Sequence, residues 1–334
     1  MIAVAAGTAH SLALRADGTV AAWGDSTYGQ ISVPIGLTNV VAIAAGDLHS
    51  LALKSDGTVV AWGAGAANSG TWPDLGQSLM PSGLTNVVAI SGGALHSLAL
   101  TSDGTVVTWG DNYFGQTNLP AGLTNVVAIA AGGFHNLALR RDGTVVAWGE
   151  SHSGQTDLPA GLTSVVAIAG GRFHSLVLRT DGTVIGWGET RVPEQIANVV
   201  AIAAGEDICL ALRADSTLDF WYIGFYFVDP GSPPPGLTKV AAISTKGGPG
   251  DGVALIGDAS PQLQARLTDP LRSGATFSVS VPTQSARVYA LEFKNSLADS
   301  SWTALPLVAG NGGLLRLTDS SATVGQRFYR VRQW

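Results

Sequence analysis

The stretch VVAIAAGDLHSLALKSDGTVVAWG, from Val40 to Gly63, decides the fold because it recurs along most of the chain. Its histidine falls at His10, His49, His96, His135 and His174, in steps of 39, 47, 39 and 39 residues, and two worn copies carry Ile208 and Asp251 at that phase. The run Asp-Gly-Thr-Val starts at Asp17, Asp56, Asp103, Asp142 and Asp181 and survives as Asp215-Ser216-Thr217-Leu218. Trp-Gly closes five copies, at Trp23, Trp62, Trp109, Trp148 and Trp187, with Trp221 in the sixth. A Gly-Gln pair follows in four, beginning at Gly29, Gly76, Gly115 and Gly154. A period near 40 residues marks supersecondary units that bury their faces only by stacking.

Within a unit the apolar runs are short, rich in Val, Ile, Ala and Leu, and bounded by Gly or Asp-Gly, which predicts strands rather than helices. Asp-Gly between Leu51–Lys54 and Thr58–Trp62 predicts a tight hairpin whose two central residues take positive φ. Seven such meanders close radially into a propeller, so the expected fold class is all-β, with a seven-bladed β-propeller over residues 1–257. The seventh unit, Lys239 to Ile256, has no Asp-Gly-Thr-Val run. Its outer edge is therefore expected to be incomplete, with a closing strand and a signal peptide upstream of Met1.

Composition narrows the function classes. The 334 residues include 43 Gly and one Cys, and 13% are charged, about half the usual share, which excludes a disulfide scaffold and a disordered tail protein. A net charge of −6 supplies no basic field for phosphates, so nucleic acid is not an expected partner. No uninterrupted apolar run of about 18 residues exists, so no membrane span is expected. Met1 to Leu14 lacks a basic n-region and carries His10 and Ser11, and is read as part of the fold rather than as a signal peptide.

The order AIAAGxxHSLAL, DGTVxAWG and GQ resembles the regulator of chromosome condensation repeat family, whose members are seven-bladed propellers. WGDNYFGQ at Trp109–Gln116, followed by Leu119-Pro120, and the shortened repeat between Gly188 and Val199 are closest in style to the family of secreted propeller-type β-lactamase inhibitory proteins. That resemblance implies an exported protein that grips a target with aromatic residues on one ring face. Beyond a linker at 258–275, alternating runs such as FSVSV and RVYALEFKNS predict a small β-sandwich over residues 276–334. The phrases LEFKNSLADSSWTALPLVAGNGG and QRFYRVR resemble a C-terminal module of exported proteins from Verrucomicrobia-like bacteria.

The chemistry-bearing residues read as scaffold. Five histidines at one repeat phase stand one blade apart, too far to share a metal that needs donors at about 2 Å, so no metal is expected. His49, Ser50 and Asp56 make a catalytic triad on paper, but the same trio recurs in several blades, whereas a nucleophile is singular. The glycines match no phosphate-binding fingerprint, Cys209 stands where other copies have Ser, and neither a cofactor nor an enzymatic activity is expected.

Variation between copies is more informative. The pair between Gly and His reads Thr8-Ala9, Asp47-Leu48, Ala94-Leu95, Gly133-Phe134, Arg172-Phe173 and Glu206-Asp207, and the loop after Trp-Gly varies too, through Tyr28, Tyr113, Phe114 and His152. Equivalent positions in a closed ring share a face. Leu48, Leu95, Phe134, Arg172, Phe173, Glu206 and Asp207 are therefore the candidate partner-binding residues, with the aromatics and Arg172 as anchors and the acidic pair facing a basic patch. The expectation is a monomeric, secreted or cell-surface, non-enzymatic protein-binding module. Inhibition of a secreted or periplasmic enzyme such as a β-lactamase is the alternative, and guanine-nucleotide exchange is a weaker one.

Overall fold

The computed structural model describes residues 1–223, 240–246, 252–256, 268–273, 275–283, 287–296, 298–299, 301–310, 313–322 and 327–333. Six antiparallel three-stranded sheets follow one another, each in the order inner, middle, outer. Blade 1 is Ala3–Ala6, His10–Leu14 and Val20–Gly24; blade 2 is Val40–Ala45, His49–Lys54 and Val59–Gly63. Blade 3 is Val87–Gly92, His96–Thr101 and Val106–Gly110; blade 4 is Val126–Ala131, His135–Arg140 and Val145–Gly149. Blade 5 is Val165–Gly170, His174–Arg179 and Val184–Gly188; blade 6 is Val199–Ala204, Ile208–Arg213 and Leu218–Tyr222. The seventh, among the described residues, is the hairpin Val240–Thr245 with Gly252–Ile256. Successive inner strands touch one another, and the ring closes where Ala3–Ala6 meets both strands of blade 7. The Ala6 amide donates to Ser244 Oγ at 3.0 Å across that closure.

The sequence Leu-Ala-Leu in the middle strands of blades 1 to 4 and 6, Leu-Val-Leu in blade 5, follows from blade stacking. Both faces of these strands are buried, as in a sheet covered on two sides. Leu51 and Leu53 of blade 2 pack with Ala99 and Trp109 of blade 3, and Leu98 and Leu100 of blade 3 pack with Ala138 and Trp148 of blade 4. One face of each blade thus offers two leucines, the next offers an alanine and an indole, and each buried leucine contributes about 1.5–3 kcal/mol.

A polar clasp locks each of the first four junctions. His10 Nε2 meets Ser50 Oγ at 3.0 Å, His49 meets Ser97 at 2.8 Å, His96 meets Asn136 Oδ1 at 2.8 Å, and His135 meets Ser175 at 2.9 Å. Each Ser hydroxyl spends its one proton on a Gln carbonyl of the preceding unit: Ser50 on Gln30 at 2.8 Å, Ser97 on Gln77 at 2.9 Å, Ser175 on Gln155 at 2.8 Å. Asn136 does the same through Nδ2 to Gln116. Nε2 must therefore be the donor, and these rings are neutral Nε2–H tautomers. The indoles of Trp62, Trp109, Trp148 and Trp187 donate to the same four carbonyls at 2.9–3.1 Å. The imidazole also explains its glycine: a Cβ on Gly46, Gly93 or Gly171 would stand 1.9–2.0 Å from the ring Cε1. The paper triad is thereby dissolved, since His49 bonds Ser97 rather than Ser50 and Asp56 caps Thr58 instead.

The Asp-Gly turn differs from the expectation in one respect. Only its glycine has positive φ, 77–85° at Gly18, Gly57, Gly104, Gly143 and Gly182, and the aspartate keeps negative φ. The Asp carboxylate is held by its own turn instead, accepting from the Thr amide and hydroxyl two residues on, as Asp17 does from Thr19 at 3.0 and 2.7 Å. In the sixth copy Ser216 is forced to φ 70°.

The C-terminal strands form two sheets that share one cluster of Val279, Val281, Tyr289, Leu291 and Leu317. The stretch read as linker needs correction. Thr268–Ser273 is a strand paired with Thr276–Pro282; its exposed polar edge with Pro270 at a bulge shows no alternation that sequence reading could detect. The incomplete last blade is tested only in part. Ala3–Ala6 is the inner strand of blade 1 and not an outer strand of blade 7, while residues 257–267 lie outside the described residues.

Three outcomes are expected. His96→Ala lowers stability by about 1–3 kcal/mol in urea titration, by leaving Asn136 Oδ1 without its donor, and purified protein carries no stoichiometric zinc for the substitution to remove. Ser216→Gly raises stability by about 1 kcal/mol by relieving the left-handed serine. Acid weakens the fold early, because burial holds His10 and His96 near pKa about 4 and His135 and His174 near about 3, below the ordinary 6.5. Their neutral form is the folded form, so the stability is whole above pH 6.5 and is lost as pH falls from there through the folded values. Each imidazole costs roughly 1.4 kcal/mol per pH unit in that window. Urea midpoints at pH 7.5, 6 and 5 measure the slope, which flattens by about one proton in His96→Gln.

Candidate functional site

In blades 1 to 6 the inner strand ends in the loop of the variable pair and the outer strand ends beside it, so the variable pairs and the loops after Trp-Gly share one face. The register sets this directly: His96 pairs with Gly110, and the Asp111 amide bonds the Leu95 carbonyl at 2.8 Å. The Asp-Gly turns lie on the opposite face. There the C-terminal unit docks, with the Leu307 amide on the Thr180 carbonyl at 3.1 Å and Arg332 Nη1 on the Ala214 carbonyl at 3.4 Å. Val288, Ala290 and Leu307 complete the apolar cluster of Leu178, Val199 and Leu212 beneath blades 5 and 6.

On the open face the two members of each pair take different places. First members turn to the ring axis, where Asp47, Ala94, Gly133, Arg172 and Glu206 line a pit of about 10 Å³, room for about one water. Backbone bonds rim it: the Ala94 amide donates to Gly133, Gly133 to Gly171, and Arg172 to Gly205, at 2.9–3.0 Å. Lys246 of blade 7 enters the same pit and donates to the Gly92 carbonyl of blade 3. Burial lowers the Lys246 ammonium to about 8, against the pull of Asp47. Burial likewise raises Asp47 and Glu206, opposed by Lys246 and Arg172.

Of the residues singled out by sequence, Phe134, Arg172 and Glu206 meet at this pit, while Leu48, Leu95, Phe173 and Asp207, second members like Phe134, lie half-buried around it. Arg172 Nη1 bonds Glu206 Oε1 at 2.5 Å, and its guanidinium lies 5.3 Å from the Phe173 ring centroid. Glu206 is thus already answered within the chain, which leaves Asp207 as the acid of that pair free of an ion pair among the described residues. Phe134 touches Phe114 at 5.4 Å between centroids, and Phe114 in turn touches Tyr113 and His152 at 4.8 and 5.8 Å. Tyr113 is 84% exposed. Pair and loop aromatics are one cluster rather than two alternative sites. Sequence reading passed over Asp47 and Lys246 as site residues; the available signal was that Lys246 replaces the glycine of six earlier copies, at Gly7, Gly46, Gly93, Gly132, Gly171 and Gly205.

Cys209 is fully buried, burial pushes its thiol up, and it takes the Ser place in the clasp, with its Sγ 3.1 Å from His174 Nε2. Among the described residues no three His, Cys, Asp or Glu side chains are grouped to hold a metal ion, and no helix is long and apolar enough to cross a membrane.

Comparison with known proteins agrees with this architecture. The profile of the regulator of chromosome condensation (RCC1) repeat matches residues 1–30, 40–69, 87–116, 126–155 and 165–190. No curated protein matches the sequence. Among solved structures, Prp20p from Saccharomyces cerevisiae superposes with a TM-score of 0.61 at 22% identity, over 73% of this chain and 80% of that one. The CRINKLY WD40 ectodomain of the Arabidopsis thaliana receptor kinase ACR4 gives 0.52 at 24% identity, over 66% and 80%. Human WBSCR16 gives 0.55 at 19% identity, over 73% and 84%. Similarities at this level establish the fold, a β-propeller in which five successive units match the RCC1 repeat.

Proposed function

We propose that this chain is a non-enzymatic, exported protein-binding propeller that presents the face of the Gly-pair-His loops to a protein partner. The observation that carries it is the asymmetry of the two faces among the described residues: the C-terminal unit rests on the Asp-Gly turns and leaves the other face open. On that open face an aromatic arc of Phe134, Phe173, Phe114 and exposed Tyr113, joined by Leu48 and Leu95, surrounds a stiff charged pit. Aromatic anchors on a rigid frame are what dominate interface energetics. Structures of similar fold point the same way, since Prp20p was studied for binding to Gsp1p and histones and yeast RCC1 was solved bound by Kap60. Arg172 serves here by stiffening Phe173 and Glu206, and Asp207 is the acid left to meet a basic patch.

Inhibition of a secreted or periplasmic enzyme, a β-lactamase in its sharpest form, is the same reading with a named target. The contiguous Tyr113–Phe114–Phe134 cluster favours it. Titrating β-lactamase activity with the purified chain decides that case directly.

The general reading is tested with the immobilised chain and the native secretome. A partner recovered there is to lose at least tenfold in affinity, about 1.4 kcal/mol or more, to the double substitution Phe134→Ala with Phe173→Ala, while the melting temperature moves by a few degrees at most. Unaltered affinity in a folded double variant removes the site from this face.

A further inference from the structure

The opposite mouth of the central channel holds a separate site. Between the inner strands and the C-terminal unit lies a cavity of about 400 Å³. Val4, Val41, Ile43, Val88 and Ile243, from the inner strands of blades 1, 2, 3 and 7, make its apolar wall. Val41 remains 44% exposed, whereas every residue of the inner strand of blade 4, Val126–Ala131, is buried. The difference comes from where the C-terminal unit docks. Its Leu307, Ala309 and Arg332 engage the side of blades 4 to 6, and among its described residues Thr283 and Arg287 line the cavity over blades 1, 2, 3 and 7.

The roof carries an unanswered charge. No Asp or Glu lines the cavity among the described residues, and its other cation, Lys54, is already paired with Asp56 at 3.2 Å. The Arg287 guanidinium has neither a hydrogen bond nor an ion pair among the described residues. It lines the cavity half-buried, and desolvation pulls its pKa below the usual guanidinium range. An apolar wall beside one uncompensated guanidinium is complementary to a ligand with an apolar body and one anionic end. The guanidinium fork matches a carboxylate in two parallel hydrogen bonds, and a second negative charge would find no partner there.

We infer that this cavity binds one small apolar monocarboxylate, with its hydrocarbon against Val4, Val41, Ile43, Val88 and Ile243 and its carboxylate on Arg287. The site does not depend on the protein partner proposed for the other face.

Isothermal titration of the full chain with octanoate, octanol and octylammonium tests it. Octanoate is expected to bind once per chain, at least tenfold tighter than octanol, with no binding of octylammonium. Arg287→Gln brings octanoate down to the affinity of octanol and leaves octanol unchanged, and the pair Phe134→Ala with Phe173→Ala leaves octanoate binding intact. Absence of saturable octanoate binding, equal affinity for acid and alcohol, or undiminished octanoate binding in folded Arg287→Gln overturns the assignment. Should Arg287→Gln fail to fold, the acid-to-alcohol ratio in the unsubstituted chain decides alone.

Discussion

One backbone carbonyl per junction, that of Gln30, Gln77, Gln116 or Gln155, receives two donors from the following blade, an indole N–H and a Ser or Asn side chain. The histidine of the preceding blade then donates to that same Ser or Asn, so the junction runs in one direction around the ring. All members are buried, where an unsatisfied polar group is costly and a satisfied one fixes geometry. This explains why His, Ser, Trp and Gln recur together although they lie tens of residues apart: removal of any one leaves the others short of a partner. The fold is a string of identical nearest-neighbour contracts rather than one global core.

The string wears out toward the end of the chain, and the wear has a structural counterpart at each step. At the fifth junction the shortened repeat has no Gly-Gln pair, and the indole of Trp221 donates to Thr190 Oγ1 at 3.1 Å instead, while Cys209 stands in for Ser. In the sixth copy Ile208 replaces the histidine. At the closing junction Trp23 is 45% exposed where its counterparts are 6–7% exposed, Ser244 accepts from Ala6 as Ser91 does from Ala131, and Lys246 supplies a bond of its own kind to Gly92. The ring thus begins as a regular polymer and ends in individual solutions.

That gradient also accounts for what the sequence made legible. Strand order, blade number and the shared face of the variable pairs follow from periodicity, which is a local property. The Asp-Gly hairpin was legible in place but not in geometry, because the same dipeptide serves turns with one or two positive φ values and only the Asp-to-Thr bonds select between them. Nothing local announces that Arg172 and Glu206 pair, since they are 34 residues apart and meet only because adjacent inner strands bring their loop positions together. The strand Thr268–Ser273 was hidden for a different reason: an exposed edge has no buried face, hence no alternation to detect.

Lys246 shows how scaffold and site are linked. In the first five copies the position must be glycine because the imidazole three residues on would collide with any Cβ. The sixth copy has lost the histidine yet keeps Gly205, since a Cβ there would come within 2.5 Å of Thr245 Oγ1. Only in the seventh copy, where Asp251 stands at the histidine phase, does the chain carry a side chain at this position. A lysine is long enough to cross the axis and bond blade 3, and in doing so it brings positive charge to a pit that Asp47 and Glu206 make acidic. Loss of one buried clasp thus permitted the residue that ties the last blade across the ring and sets the electrostatics at the centre of the open face.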